Sequence, residues 1–407
     1  MDKYISGSFV RIALAGAVAG GLLYWMLSSD DYYQSTADQR SARSWPVEKL
    51  KIAVPWPQDG RMSLIQGVKL GLKELNSQQE EDGKPVSPLK GKVELQFFDE
   101  AKTDSIVDVV ARQIAKDKDI VAVIGHEASL TAVASAVTYE KNGILYISPK
   151  ASLSRLTRHR FRSTFRLVPD DEAFAAALVQ FAISQGWKRV GVLYARFEQG
   201  EALARAFALH ARDAELELPY FRSYLPLAEE NYEKHDFREL LGSISRQPTD
   251  AILLADRLPW AGKVLLDMQK MRINQPILVG DKLDSSSAWK IAGKGTENLY
   301  IASAVDPAST ETAFVDFRHK FLEHWKKEPG YGSAQGFEAF NLLIDAIEYS
   351  ESASPLVLTT TLRTRSWKGL FGEYSFSDAG GLIGRTIIMK RIDNGVIKSI
   401  SMEDAHP

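Results

Sequence analysis

From Leu50 onward one pattern recurs: a short apolar run rich in β-branched residues, then a longer stretch with apolar positions at three- and four-residue steps. The runs are LKIAVPW, VELQFFD, VAVIG, ILYIS, RVGVLYA, LPYFRSY, AILLAD, PILVG and LYIASAV. Between them stand SLIQGVKLGLKELN, SIVDVVARQIAKD, EAFAAALVQFAISQG, EALARAFALHARDA and WAGKVLLDMQKM. Runs that are apolar throughout are buried on both faces, which is the property of parallel strands covered by crossover helices. The intervening spacing is that of the helices. This many alternations exceed one comfortable sheet, and the pattern restarts after Pro169 in FRLVPDDE, so an α/β chain of two doubly wound, parallel-sheet lobes is expected. Toward the C-terminus TAFVDFRHKFLEHW and GFEAFNLLIDAIEY return to helical spacing. GEYSFSDAGGLIGRTIIMKRIDNGVI then reads as antiparallel strands with Gly-rich turns and an Asn-Gly signal.

Ahead of this body lies FVRIALAGAVAGGLLYWML, residues 9 to 27, broken only by Arg11 and followed by polar SSDDYYQSTADQRSARS. Its length approaches the roughly twenty residues that span a hydrocarbon core, whereas a cleavable signal has a shorter apolar stretch ending at a small-x-small site. Ala15, Ala17 and Ala19 lie inside the run, with Leu22, Leu23, Tyr24, Trp25 and Met26 still to come. Residues 1–28 therefore read as one uncleaved transmembrane helix, a removed signal peptide being the alternative. Lys3 and Arg11 precede or open the span and Asp30 and Asp31 follow it, which puts the N-terminus in the cytoplasm. The expected location is the cell inner membrane, single-pass, with the folded body in the periplasm; signal cleavage would leave a secreted periplasmic protein instead. Residues 29–48 carry no apolar periodicity and read as a flexible tether.

Composition narrows the function. With 45% apolar and 25% charged residues the chain can bury the cores of two lobes. A formal charge of −2, with both signs interspersed, offers no grip on a phosphate backbone, so no nucleic-acid partner is expected. The absence of cysteine removes disulfides, thiolate metal sites, a cysteine nucleophile and a lipidation site. His126 and Glu127 open a zincin-like HE, but Leu130 stands where the second histidine must be. His319 and His324, five apart, lie on different faces of a helix. AGKGT at 292–296 lacks the rest of a phosphate loop, and no GxSxG occurs. No enzyme, metal or cofactor is expected.

Ligands of parallel sheets sit beyond the carboxyl ends of strands, where helix N-termini present unpaired N–H groups. Ser129 follows VAVIGHEA where a helix should start, and Ser152 follows ILYISPKA one unit later. The two hydroxyls either cap helices or, with the nearby amides, cradle a carboxylate. Asp281 follows PILVG at the mouth of the expected cleft.

In their order, KIAVPWPQDG…GVKLGLKELN, KVELQFFDEAKTD, IVAVIGHEAS, KNGILYISPKAS, TFRLVPDDE and RVGVLYARFEQGEALAR resemble the extracytoplasmic solute-binding proteins of the branched-chain amino acid type, over roughly residues 49 to 400. The resemblance implies two lobes joined by three crossovers (type I periplasmic binding protein fold), with lobe 1 at 49–168 plus about 303–377 and lobe 2 at 169–302 plus about 378–400. It implies a small-molecule ligand clamped between the lobes. The partner is then an ABC permease or a sensory membrane protein, with membrane attachment through the N-terminal helix.

Carried over by position, Ser129, Ser152 and the backbone around Ala151 match the residues that hold an amino acid's carboxylate, and Asp281 matches an acid that holds its ammonium. Departures are Gln199 where a tyrosine is common, Arg257 near an aromatic position, Lys150 at a small-residue position, Gly60 at a usual aromatic position with Trp56 nearby, and Glu127 in place of an apolar wall. They imply a polar ligand (amino acid, amide or small carboxylate) and point away from an aliphatic amino acid. Lys150 and Glu127 either line the pocket, face solvent or pair with each other, and Arg257 is either a pocket or a rim charge.

Overall fold

The computed structural model describes residues 36–43, 45–58, 62–80, 85–100, 104–284, 298–306, 308–393 and 396–400. The apolar run of residues 9–27 lies outside the described residues, and among the described residues no helix is long and apolar enough to cross a membrane.

The first lobe is built on a parallel sheet of order β2-β1-β3-β4-β5, from β1 (Leu50–Trp56), β2 (Val93–Asp99), β3 (Ile120–Ile124), β4 (Leu145–Ser148) and β5 (Thr164–Arg166). β3 and β4 are buried at every position, which is why they read as continuous apolar runs. The second lobe carries seven strands, in the order β15-β14-β10-β9-β8-β6-β7. β6 (Val190–Ala195), β7 (Phe221–Tyr224), β8 (Ala251–Ala255), β9 (Ile277–Val279) and β10 (Leu299–Ser303) are parallel. β14 (Ile388–Asp393) and β15 (Val396–Ile400) add an antiparallel edge, their register flanking the Asn-Gly dipeptide. Three short strands, β11 (Trp367–Gly369), β12 (Gly372–Phe376) and β13 (Leu382–Ile383), form a small sheet whose Trp367, Tyr374 and Phe376 join the first-lobe core.

The chain passes between the two large sheets after β5, after β10 and between β13 and β14. Buried charges mark each passage. Arg166 donates to the Val168 carbonyl at 2.7 Å and pairs with Asp170 at 3.0 Å. Lys390 meets Asp284 at 2.8 Å, which also accepts from Ser303 at 2.5 Å. Arg385 pairs with Glu338 at 2.5 Å.

Helices α2 (Ser63–Ser77) and α11 (Tyr331–Ser350) cover the first sheet and pack on each other almost backbone to backbone. A Cβ added at Gly67 would lie 2.0 Å from the Ser333 carbonyl oxygen, and one at Gly336 would lie 2.3 Å from that of Leu64. Only glycine fits this approach.

Part of the stretch read as a flexible tether is instead helix. α1 (Thr36–Ser41) docks on the first lobe through Arg40, which is fully buried. Its guanidinium donates to the carbonyls of Ile120 (2.9 Å), Asn142 (2.6 Å), Ala115 (2.8 Å) and Asp117 (2.8 Å). These carbonyls lie at the C-terminal ends of α3 (Asp104–Lys116) and α4 (Ser129–Lys141) and at the start of β3. A cation placed there meets the negative ends of two helix dipoles and carbonyls without intrahelical partners. Arg43 adds a bond to the Lys118 carbonyl at 2.8 Å.

Candidate functional site

The two expected serines lie at the first-lobe wall, with different local roles. Ser129 opens α4 and is fully buried; the cap position is Ala128 in extended conformation, so the serine side chain is not the cap. Its oxygen accepts from Gln199 Nε2 at 2.6 Å, across the cleft, which leaves its own proton to donate. Ser152 does not start a helix as the spacing predicts: the next helix, α5, is the four-residue Arg155–Arg158. The Ser152 hydroxyl is buried beside Asp171, whose N–H donates to the Ser152 carbonyl at 2.9 Å, and it makes no hydrogen bond of good geometry to a described residue. Ala151 is fully buried between Lys150 and Ser152.

Lys150 and Glu127 pair at 3.4 Å, and Lys150 Nζ lies 5.8 Å over the ring of Trp56, which is buried at the end of β1. Burial lowers the Lys150 pKa, with Glu127 opposing the shift. The loop that carries Glu127 is pinned by His126, whose ring nitrogens meet Glu100 at 2.5 Å and Tyr139 at 2.8 Å; the Glu127 N–H also donates to Glu100 at 3.1 Å. His126 is therefore part of the packing of the first lobe. His324 lies 3.0 Å from Lys73 Nζ, and no metal-binding group of three or more acidic or histidine side chains occurs among the described residues.

The second-lobe wall holds a small cleft, partly open toward solvent. Gln199, Arg257 and Asp281 line it, as do Asp171, Asp256 and Lys282, which the sequence reading missed; Phe197, Leu203 and Ala255 are its apolar part. Arg257 is stacked on Phe197 at 4.4 Å and on Trp260 at 5.3 Å, which holds a flexible cation in place. Asp281 opens a short 3-10 turn after β9 and pairs with Lys282 at 3.2 Å; Lys282 also donates to the Lys150 carbonyl at 3.3 Å, on the other lobe. The two lobes thus meet through Gln199–Ser129 and Lys282–Lys150, with an exposed pair, Arg155–Glu198 at 2.7 Å, at the rim. Asp256 obeys the rule that singled out Asp281, since it directly follows the buried strand AILLA; Asp171 does not, and instead opens α6 (Asp171–Ser184) after the first passage.

Burial raises the carboxyl of Asp171 to about 6, with Lys282 opposing the shift. Burial likewise raises Asp256 to about 7, against a hydrogen bond from Tyr224. Both groups hold a proton more tightly folded than unfolded, where an aspartate titrates near 3.8. Their contribution to stability is fully present below that value and is lost as pH rises through about 6 and about 7. Unfolding at pH 5 and pH 7.5 should show the chain more stable at the lower pH, each group contributing a slope of at most about 1.4 kcal/mol per pH unit. Asp256→Asn should remove its share of that slope; an unchanged slope would contradict the assignment.

Two α/β lobes around a polar cleft define a solute-binding architecture, and comparison with known proteins agrees. The family model described as periplasmic binding protein matches residues 49–396, and the chain belongs to that family, whose members here are solute-binding proteins of the branched-chain amino acid type and not enzymes. The leucine-, isoleucine-, valine-, threonine-, and alanine-binding protein of Pseudomonas aeruginosa is 21% identical over 348 residues, covering 83% of this chain and 88% of the relative. An ABC transporter substrate-binding protein from Desulfitobacterium hafniense, solved in complex with Leu, superposes with a TM-score of 0.74 at 25% identity, over 87% of this chain and 100% of that one. A leucine binding protein from Thermotoga maritima shares the fold, with a TM-score of 0.75 at 22% identity, over 86% of this chain and 98% of that one.

Proposed function

We propose that this chain is an extracytoplasmic solute receptor that closes its two lobes over a polar small molecule bearing a carboxylate, and delivers it to an ABC permease. In this reading residues 1–28 anchor it in the inner membrane with the N-terminus in the cytoplasm and the lobes in the periplasm. The observation that carries the solute reading is a pair of buried polar groups at the cleft, the Ser152 hydroxyl and the Asp171 carboxyl, which interact with each other but, among the described residues, without a hydrogen bond of good geometry. Such groups cost about 1–3 kcal/mol each when left unpaired, and a bound solute that hydrogen-bonds them removes that cost. The relatives named above, described as binding leucine and similar amino acids, support a small carboxylate; the charges of Lys150, Lys282, Asp171 and Asp256 argue for a more polar one.

A second reading, a sensory module that reports closure to a membrane partner, is favoured by α1, which ties the segment following the anchor firmly to the first lobe. The test is a thermal-shift screen of the full-length chain in detergent against amino acids, amides and small carboxylates. A solute at a hundred times its Kd should add about 2.7 kcal/mol to stability. A melting temperature that no member of the panel moves counts against both readings.

A further inference from the structure

Lys282 makes both contacts that an amino group in this cleft would seek. Its Nζ is 3.2 Å from Asp281 Oδ2 and 3.3 Å from the Lys150 carbonyl of the opposite lobe, and its side chain is largely buried. Asp281 is the acid that the family resemblance assigns to a ligand ammonium, so that place is taken by a cation of the chain itself. An amino acid would bring a second ammonium beside the first in a partly desolvated site, and like charges in such surroundings disfavour one another. The first-lobe side is different. The Ser129 proton, the amides that open α4 and the Lys150 ammonium all suit an anion. Near Lys282, the Asp171 carboxyl is buried beside the Ser152 hydroxyl, with which it interacts, and it can accept a further hydrogen bond from a donor such as a hydroxyl.

We propose that Lys282 is a specificity-determining residue: it supplies from within the chain the ammonium that an amino acid would bring, and the cleft selects carboxylates that carry a neutral group, such as hydroxyl, in place of the α-amino group. This rests on the solute-receptor reading above and narrows its ligand class. Lys282 shares the cleft with Asp281, Asp171, Asp256 and Arg257 and faces Lys150 of the other lobe, so the selection reflects their balance, and removing the cation that sits on Asp281 shifts it toward ammonium.

The test uses isosteric pairs that differ only at that group: L-leucine and L-2-hydroxy-4-methylpentanoate, L-phenylalanine and L-3-phenyllactate, L-glutamate and L-2-hydroxyglutarate. Each is titrated by calorimetry into the full-length chain and into the Lys282→Met and Lys282→Arg variants, with melting curves as a folding control. The wild type should bind the hydroxy acid of its preferred pair at least about tenfold tighter than the amino acid. Lys282→Met should shift that ratio at least about tenfold toward the amino acid, and Lys282→Arg, which keeps the charge, should retain the wild-type preference. A wild type that binds an amino acid as tightly as its hydroxy partner, with a ratio that Lys282→Met leaves unchanged, overturns the role of Lys282 while the receptor reading stands. A folded wild type that binds no member of these pairs and no solute of the wider screen overturns the receptor reading, and this inference with it.

Discussion

Arg40→Ala is expected to destabilise the first lobe by about 3–5 kcal/mol. The guanidinium is fully buried and donates to four main-chain carbonyls at 2.6 to 2.9 Å. A hydrogen bond to a charged group contributes about 1.5–3 kcal/mol, and water entering the vacated site recovers part of the loss. Burial and the neighbouring Arg43 pull the Arg40 pKa down to about 10, so the side chain is still a cation at neutral pH. Truncation to residues 49–407, which the sequence alone makes attractive, removes α1 and should carry the same penalty. A truncated chain that begins before Thr36 should not. Urea unfolding followed by tryptophan fluorescence checks both; a loss below about 1 kcal/mol for Arg40→Ala would show that α1 merely rests on the surface. The consequence reaches the cleft, because α4 carries Ser129 at one end and the Asn142 carbonyl bound by Arg40 just beyond the other.

Glu338→Ala should be about as damaging, again roughly 3–5 kcal/mol, for a different reason. Glu338 of α11 and Arg385 of the third passage are both buried and pair at 2.5 Å, and Glu338 also accepts from the Leu370 N–H at 3.2 Å. Removing the acid leaves a buried guanidinium without its counter-charge, whereas replacing both residues by apolar ones removes the desolvation cost along with the attraction. The double variant Glu338→Met/Arg385→Met should therefore recover most of the loss, keeping a deficit of about 1 kcal/mol for the Leu370 amide. A double-mutant cycle in urea measures this. Strictly additive losses would mean that the two charges do not act as a pair.

The sheets were legible because their strands are buried on both faces: IVAVI and AILLA have no exposed position, and no other arrangement of so many such runs was plausible. The docking of α1 was not legible. Its main polar hold is one charged side chain reaching main-chain carbonyls of residues 75 to 102 positions away, which leaves no apolar periodicity in TADQRS. At the cleft, Asp281 was within reach because strand ends aim at one edge of a parallel sheet, while Gln199 and Arg257 came only from the family resemblance; all three line one cleft. Lys282 was missed since it stands one residue past Asp281 on a 3-10 turn, where the facing of successive side chains cannot be read from a strand period. Ser152 was expected at a helix start. It lies instead in the irregular segment before a single helical turn, where SPKASLS carries no helical spacing.

The receptor reading places a carboxylate of the solute against the Ser129 and Ser152 hydroxyls, and Ser152→Ala tests this with little interference from folding. Among the described residues the hydroxyl meets only the Asp171 carboxyl, without good hydrogen-bond geometry, so its removal should change the melting temperature little. Calorimetric titration of the solute found by thermal shift into wild type and Ser152→Ala is the decisive measurement. The expected result is an affinity loss of about tenfold, roughly 1.4 kcal/mol, at unchanged stability. Equal affinity in the two proteins would mean that the solute is held elsewhere.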